Sequence, residues 1–312
     1  MNKNNNYIQK LISYIESDKL AIVKGGEMEE FESVASNIFG NKYGVSTSSG
    51  TTALYASLFA ITQDTKKNEV IAPAYGFHGI VSAICAYGLK PIFCDIDKKT
   101  LSIDPNRCKE LINENTLAIL ALQPWGNLTN MDELSKLRDE NQLFLLSDSS
   151  HAHEAEWEGQ KIGGFFDINF ASFGIGKLIS GGELGIATTD DPILRDRMIL
   201  FGHTNRAPKD LITESYATIG NAVGVKIRPH LFALLLALAD YEENTEERKE
   251  IVSAFAQFKQ DISNQTTKIR FVESYEKAKR VYWKPLIIFE DEINTEELIS
   301  ILPSKEVPAE KH

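Results

Sequence analysis

Ser172-Phe173-Gly174-Ile175-Gly176-Lys177, followed by Gly181-Gly182-Glu183-Leu184-Gly185, joins an apolar strand to a single lysine and a glycine-rich turn. The strand is predicted over Ile168–Phe173. A lysine at a strand end, with flexible backbone around it, suits an amine that is partly desolvated and so less often protonated. That is the state an amine needs to form a Schiff base. Taken alone, a lysine after a strand is ordinarily a solvated surface residue. Three other segments change that reading.

The composition bounds the answer first. At 312 residues the chain can bury a substantial core, in one large domain or a large one plus a small one. A net charge of -11 argues against general binding to nucleic acid or anionic membranes. It leaves room for an anionic small ligand held by a few local Lys and Arg. The start, Met1 to Asn6, leads into no apolar core, which predicts no signal peptide. The longest apolar run, Leu231 to Ala239, is too short to span a bilayer. Cys85, Cys94 and Cys108 are odd in number with no C-x-x-C spacing. They predict free thiols in a reducing cytoplasm, not a disulfide or zinc framework.

Working outward from the lysine, apolar strand-like runs alternate with helical patterns. Strands are predicted at Tyr43–Thr47, Val70–Ala72, Pro91–Cys94, Ala118–Leu122 and Leu143–Ser147. Helices are predicted at Thr51–Ile61, His78–Tyr87, Asn106–Asn113 and Met131–Glu140. Asp104-Pro105 supplies an N-cap and a proline at the first helical position. This alternation predicts an α/β fold with a mainly parallel sheet covered on both faces. Ile168–Phe173 and Leu184–Ala187 extend the sheet. From about Pro229 one long helix is expected, buried over its all-round apolar start and charged from Glu242 onward as it leaves the large domain. The tail holds one expected strand, Leu286–Phe289, and one helix, Thr295–Ile301, which is thin for a self-sufficient domain.

Thr47-Ser48-Ser49-Gly50-Thr51-Thr52-Ala53-Leu54 follows a strand and opens a helix. Free N–H groups, small residues, hydroxyls and the helix dipole would cradle a phosphate. The same pattern also fits an ordinary turn with Ser and Thr as caps. Leu145-Leu146-Ser147-Asp148-Ser149-Ser150-His151 places a carboxylate at the C-terminal end of a central strand, the edge where ligands bind in open α/β sheets. Asp148 reads either as the partner of a pyridinium nitrogen or as a helix N-cap. His151 could face the same ligand; a lone histidine is more often a packing or surface residue, and His153 has no special claim. An aromatic in Pro73-Ala74-Tyr75-Gly76-Phe77-His78 could stack on a flat ring, or be core.

In this order the segments resemble the DegT/StrS family of pyridoxal-phosphate (PLP) sugar aminotransferases, of the aspartate-aminotransferase fold type I. The family pattern S-G-T-x-A-L, P-x-x-T-F or a near variant, E-D-x-A-[QH]-A and S-F-x-x-x-K-x-x-x-x-G-E-G-G appears here as Ser49–Leu54, Pro73–Phe77, Ser147–Ala152 and Ser172–Gly185. Glu30-Phe31-Glu32, Pro91–Asp97 and Gln123-Pro124-Trp125-Gly126 fit the family's usual intervening stretches. The match runs from about residue 20 to 250. The resemblance implies a large PLP-binding domain over 1–245 with an N-terminal helix, and a small α+β C-terminal domain over 246–312. Lys177 would form the Schiff base with the cofactor and shuttle the proton, Asp148 would pair with the pyridine nitrogen, and His151 would sit near the ring's 3-oxygen. Phe77 would stack on the ring; Gly50 and Thr51 amides, with the Ser172 hydroxyl, would hold the phosphate. The family completes its site across a dimer interface with G-x-N-Y-R, here Gly224-Val225-Lys226-Ile227-Arg228, so Lys226 and Arg228 join the cofactor-binding set. No metal is implied.

Three departures stand out. Ser147 replaces the acidic residue before Asp148. Leu184 enters the G-E-G-G turn and is expected to add bulk beside the cofactor. Family members continue for some tens of residues past the point matching His312, so the small domain is expected to be incomplete. The implied activity is transfer of an amino group from an amino acid, typically glutamate, to a keto-sugar or related cyclic ketone, in a cytoplasmic homodimer. Some relatives replace the lysine with histidine and dehydrate sugars; Lys177 argues against that route, though not against other PLP chemistry. The other reading is a shortened, non-catalytic binding homologue. Arg206, Lys209, Lys226 and Arg228 are the candidates for an anionic nucleotide-sugar acceptor.

Overall fold

The computed structural model describes residues 5–18, 25–203, 206, 225–265, 268–284, 286–289, 294, 296–297 and 300. Helices α1 (Asn5–Glu16) and α2 (Gly26–Phe39) lead into strand β1 (Tyr43–Thr47). There follow α3 (Gly50–Thr62), β2 (Glu69–Pro73), α4 (His78–Ala86), β3 (Lys90–Cys94), α5 (Pro105–Leu111), β4 (Thr116–Leu122), α6 (Met131–Asn141) and β5 (Phe144–Asp148). A short ribbon, β6 (Glu156–Trp157) and β7 (Gln160–Lys161), precedes β8 (Ile168–Ser172), β9 (Gly185–Thr189) and α7 (Pro192–Gly202).

The main sheet has seven strands in the order β1-β9-β8-β5-β4-β2-β3. β9 runs antiparallel to both neighbours, and the other pairings are parallel. The sequence expectation of a mainly parallel α/β sheet holds. Side chains sort by the two-residue period of a strand. On β4, Ile119 and Ala121 enter the core under α2 and α6, while Ala118, Leu120 and Leu122 enter the core under α3, α4 and α7. Every position of β4 is buried, as a central strand covered on both faces requires. The predicted cap at Asp104 is present, its carboxylate accepting from the Asn106 amide at 2.9 Å with Pro105 in the first turn.

The C-terminal part differs from expectation in two ways. The single long helix is two, α8 (Leu231–Glu243) and α9 (Thr245–Ser263), separated at Asn244. Charged residues stand on both sides of Asn244-Thr245, so the composition does not mark the break. The apolar start of α8 is also not buried all round: Leu231, Leu234, Leu235 and Leu238 are buried, but Leu236 is 55% exposed. Beyond α9, β10 (Ile269–Phe271) pairs antiparallel with β12 (Ile287–Phe289), the strand expected at Leu286–Phe289. Between them β11 (Ala278–Lys279) pairs with β6, joining this segment to the main body. The expected helix at Thr295–Ile301 lies largely outside the described residues, as do Lys209 and Gly224.

Candidate active site

The strand order places the C-terminal ends of β4, β5 and β8 side by side, and a cavity of about 660 Å³ opens there. It is lined by Gly50, Thr51, Phe77, Asp148, His151, Ser172 and Lys177, seven of the nine sequence-predicted site residues.

One end is built by the β1–α3 turn. Ser49 is the N-cap, its hydroxyl accepting from the Thr52 amide at 3.2 Å while the Thr52 hydroxyl accepts from the Ser49 amide at 2.9 Å. The cap reading and the phosphate reading therefore coexist: the cap engages the Thr52 N–H, not those of Gly50 and Thr51. A Cβ on Gly50 would lie 2.8 Å from the Ser172 Cβ, and one on Gly185 would lie 2.2 Å from the Ser49 carbonyl oxygen. Both glycines are thus needed to bring the α3 N-terminus against the end of β8, where the Ser172 hydroxyl also stands.

The other end is Asp148, last residue of β5 and buried. Burial raises its carboxyl above the ordinary range, while hydrogen bonds from Ser150 and the positive charge of Lys177 pull the other way. Its Oδ1 accepts from the Ser150 amide at 3.0 Å. Ser147, where the family carries an acid, accepts from Gln123 Nε2 at 3.1 Å and lies 2.8 Å from the Ser149 hydroxyl. A neutral hydroxyl there leaves Asp148 without a second buried negative charge beside it.

Lys177 rides on the loop after β8. Gly174 N–H donates to the Ser172 hydroxyl at 3.1 Å, Ile175 N–H to the Gly182 carbonyl at 2.8 Å, and Gly176 takes φ 78°. Burial lowers the Lys177 pKa, Asp148 raises it, and the nearby Lys284 charge lowers it. This is the desolvated amine expected from the sequence.

The remaining predictions divide. His151 lines the cavity, but its ring is stacked on Trp283 with centroids 3.7 Å apart. Phe77 stands at the mouth, 55% exposed and tilted against His78. Lys226 and Arg228 do not line this chain's cavity; Lys226 is exposed, and the intervening buried Ile227 accepts from the Ser48 amide at 2.6 Å. Leu184 corrects an expectation: it is fully buried in the core and adds no bulk to the cavity, whereas Glu183 beside it lines the wall. Trp125 and Trp283 also line the cavity and were not among the predicted site residues. Trp125 sat in a recognised turn but carried no chemical signal. Trp283 lies over a hundred residues beyond Lys177, and no spacing rule connects the two.

The profile of the DegT/DnrJ/EryC1/StrS aminotransferase family matches residues 2–312. The chain belongs to the DegT/DnrJ/EryC1/StrS aminotransferase family. Members of this family are PLP-dependent. The chain is 34% identical over 191 residues to GDP-4-keto-6-deoxy-D-mannose 3-dehydratase of Yersinia pseudotuberculosis, covering 60% of this chain and 47% of that protein. It is 31% identical over 178 residues to GDP-perosamine synthase of Escherichia coli O157:H7, covering 57% and 49%. The matched span is thus about half the length of these curated relatives. In structure it resembles 3-amino-5-hydroxybenzoic acid synthase, with a TM-score of 0.83 at 21% identity over 97% of this chain and 77% of that one. That likeness shows the fold type I architecture of the DegT/DnrJ/EryC1/StrS family. The residues present fit the family cofactor: a cradle kept open by Gly50, a desolvated carboxylate at Asp148, and a half-buried lysine lining the same cavity.

Proposed function

We propose that this chain is a PLP-dependent aminotransferase that moves an amino group from an amino acid, L-glutamate first among donors, to a keto-sugar, nucleotide-linked, or to a related cyclic ketone. The observation that carries the reading is that Lys177, Asp148 and the Gly50–Thr51 turn line one cavity. The bound cofactor supplies the electron sink and carries nitrogen between the two substrates. Asp148 holds a proton on the pyridine nitrogen, because a buried carboxylate needs a cationic partner. Gly50, Thr51 and Ser172 hold the phosphate at the α3 N-terminus. Lys177 would hold the cofactor through Nζ with loss of water and, once the incoming amino group has replaced it, would serve as the neutral amine that carries the proton to and from the substrate carbon. Phe77 closes the mouth, and His151 orients the ring edge.

Relatives support either acceptor class. One is named GDP-perosamine synthase and another L-glutamine:2-deoxy-scyllo-inosose aminotransferase. The retained Lys177 favours transamination over the dehydration named for the Yersinia relative. We further place the protein in the cytoplasm as a homodimer, with Lys226 and Arg228 reaching the partner's cavity and residues 246–312 forming a small second domain. Free thiols at Cys85, Cys94 and Cys108 suit a reducing compartment, and among the described residues no helix is long and apolar enough to cross a membrane. The test is the visible absorption of the purified, PLP-loaded protein before and after L-glutamate. Conversion of the bound-cofactor band to that of pyridoxamine phosphate supports the reading. No band after reconstitution sinks it.

A further inference from the structure

Trp283 stands where three separate parts of the site meet. Its indole lies stacked on His151, 3.7 Å between centroids and 12° from parallel, and partly stacked on Trp125 at 5.4 Å and 23°. The Lys177 Nζ lies 4.6 Å from its ring centroid, within cation–π range. Its Nε1–H donates to the carbonyl of Gly176, the residue before that lysine. One side chain therefore touches the amine, the loop that carries it and the neighbouring cavity histidine.

The segment bearing Trp283 is itself anchored to the cavity rim. Val281 N–H donates to the Gly126 carbonyl at 3.1 Å, and Arg280 Nη2 donates to the Trp125 carbonyl at 3.2 Å. Asn127, fully buried, donates to the Glu273 carbonyl at 2.7 Å and accepts from the Ser274 hydroxyl at 2.9 Å. A Cβ on Gly126 would lie 2.2 Å from the Val281 carbonyl oxygen, so the two backbones are in direct contact. The turn at Trp125, with φ 56° and ψ 23°, is held in the left-handed region by this clamp. The indole thus rests on a fixed base and not on a free tail.

The backbone of the Lys177 loop is tied by hydrogen bonds such as Ile175 N–H to the Gly182 carbonyl, but these do not fix the lysine side chain. Gly174 and Gly176 flank Ile175, which is 83% exposed, and Gly176 has a positive φ. A long flexible amine on such a loop loses rotamer freedom when it must meet a carbonyl carbon, and restraint beforehand removes that loss from the reacting step. We infer that Trp283 is a positioning residue for Lys177, by which the C-terminal segment holds the reactive amine and its loop in place for cofactor capture. This rests on the reading of Lys177 as the cofactor-bonding lysine.

The test compares wild type with Trp283→Phe and Trp283→Leu, all as the full chain. Each cofactor-free protein is mixed with PLP, quenched with borohydride at timed intervals, and the modified lysine is located by peptide mass spectrometry. Wild type is labelled on Lys177; labelling elsewhere defeats the parent reading, and this inference falls with it, whereas wild-type labelling on Lys177 leaves the variants to test this inference alone. Trp283→Leu removes both the ring face and the N–H donor, and its capture rate falls about tenfold. Part of its label moves to Lys284, whose Nζ lies 4.9 Å from the same indole. Trp283→Phe keeps a ring face without the donor and falls between the two, at an unchanged melting temperature. Capture by Trp283→Leu at the wild-type rate and on Lys177 alone overturns the inference. If the leucine variant does not fold, a phenylalanine variant that captures at the wild-type rate overturns it equally.

Discussion

The Lys177 ammonium and the Asp148 carboxylate offset one another's desolvation: burial disfavours each charge, and each pulls the other's pKa back toward the charged form. Asp148→Asn removes the anion and leaves the burial, so the Lys177 pKa falls further below the ordinary lysine value. The variant is expected to capture PLP through Lys177 down to lower pH than wild type, while transamination falls about a hundredfold or more because the pyridine proton loses its holder. Lys177→Ala is expected to lose turnover entirely while still binding PLP without a covalent bond. Absorbance titration with PLP across pH, alongside steady-state rates with L-glutamate, checks both. A hundredfold loss of rate with no acid shift in capture would mean the two charges do not sense each other.

Gly50→Ala tests the phosphate cradle. Its Cβ would come within 2.8 Å of the Ser172 Cβ and 3.0 Å of the Ser172 Cα, so the helix start must back away from β8. Overpacking of this kind costs about 1–3 kcal/mol. The variant is expected to melt earlier and to bind PLP at least about tenfold more weakly, since the N–H groups leave the hydroxyl they act with. Ser172→Gly removes the Cβ that stands nearest, and the hydroxyl with it. The double variant, with only backbone contacts left, the nearest at 3.0 Å, is therefore expected to recover part of the stability but not the cofactor affinity, as melting curves and PLP titration would show.

The main sheet was legible because its strands alternate with helices at regular spacing, and because Asp104-Pro105 and Ser49 mark helix starts that the structure keeps. The cavity was legible where its residues end strands: Asp148 after β5 and Ser172 with Lys177 after β8. What was not legible depends on long-range contact. The break at Asn244 hides between two charged stretches of like composition, and burial of Leu184 follows from the packing of the turn rather than from its motif. Trp283 reaches Lys177 only because Asn127 and Gly126 clamp residues 273–281 to the rim. Such a contact has no period and no spacing in the sequence.

Glu32 on α2 and Arg206 form a bidentate pair, 2.7 Å for each bond, with both side chains largely buried. Glu32 also accepts from the amide and hydroxyl of Ser46 on β1, each at 2.9 Å. Arg206→Met would leave a buried carboxylate with only Ser46 to satisfy it, and removing one partner of such a pair costs about 3–5 kcal/mol. The paired change Glu32→Gln with Arg206→Met is expected to recover part of that loss, because the stranded charge is gone. Urea unfolding of both variants decides it. A double variant no more stable than Arg206→Met would show that the arginine contributes by packing rather than by pairing.

His153 and His203 set an acid limit on stability. Burial pushes His153 down to about 3 and His203 down to about 4, and each ring Nε2–H donates to a carbonyl, Ser172 at 3.1 Å and Ser46 at 2.7 Å. In the unfolded chain both titrate near about 6.5. The folded values are depressed, so below about 6.5 the unfolded chain binds more protons. The stabilisation each neutral ring contributes is therefore complete above that pH and lost as the pH falls toward the folded values. Each histidine tilts stability by about 1.4 kcal/mol per pH unit between about pH 6 and pH 4.5. Asp148 and Asp167, raised by burial, act in the opposite sense as they protonate, so the histidine share is read from variants. His203→Gln keeps a donor for the Ser46 carbonyl but cannot be protonated in this range. Its urea-unfolding free energy is expected to fall less steeply from pH 6 to pH 4.5 than that of wild type, by about the single-histidine slope. An identical slope in the two proteins would mean that His203 is already protonated in the folded state.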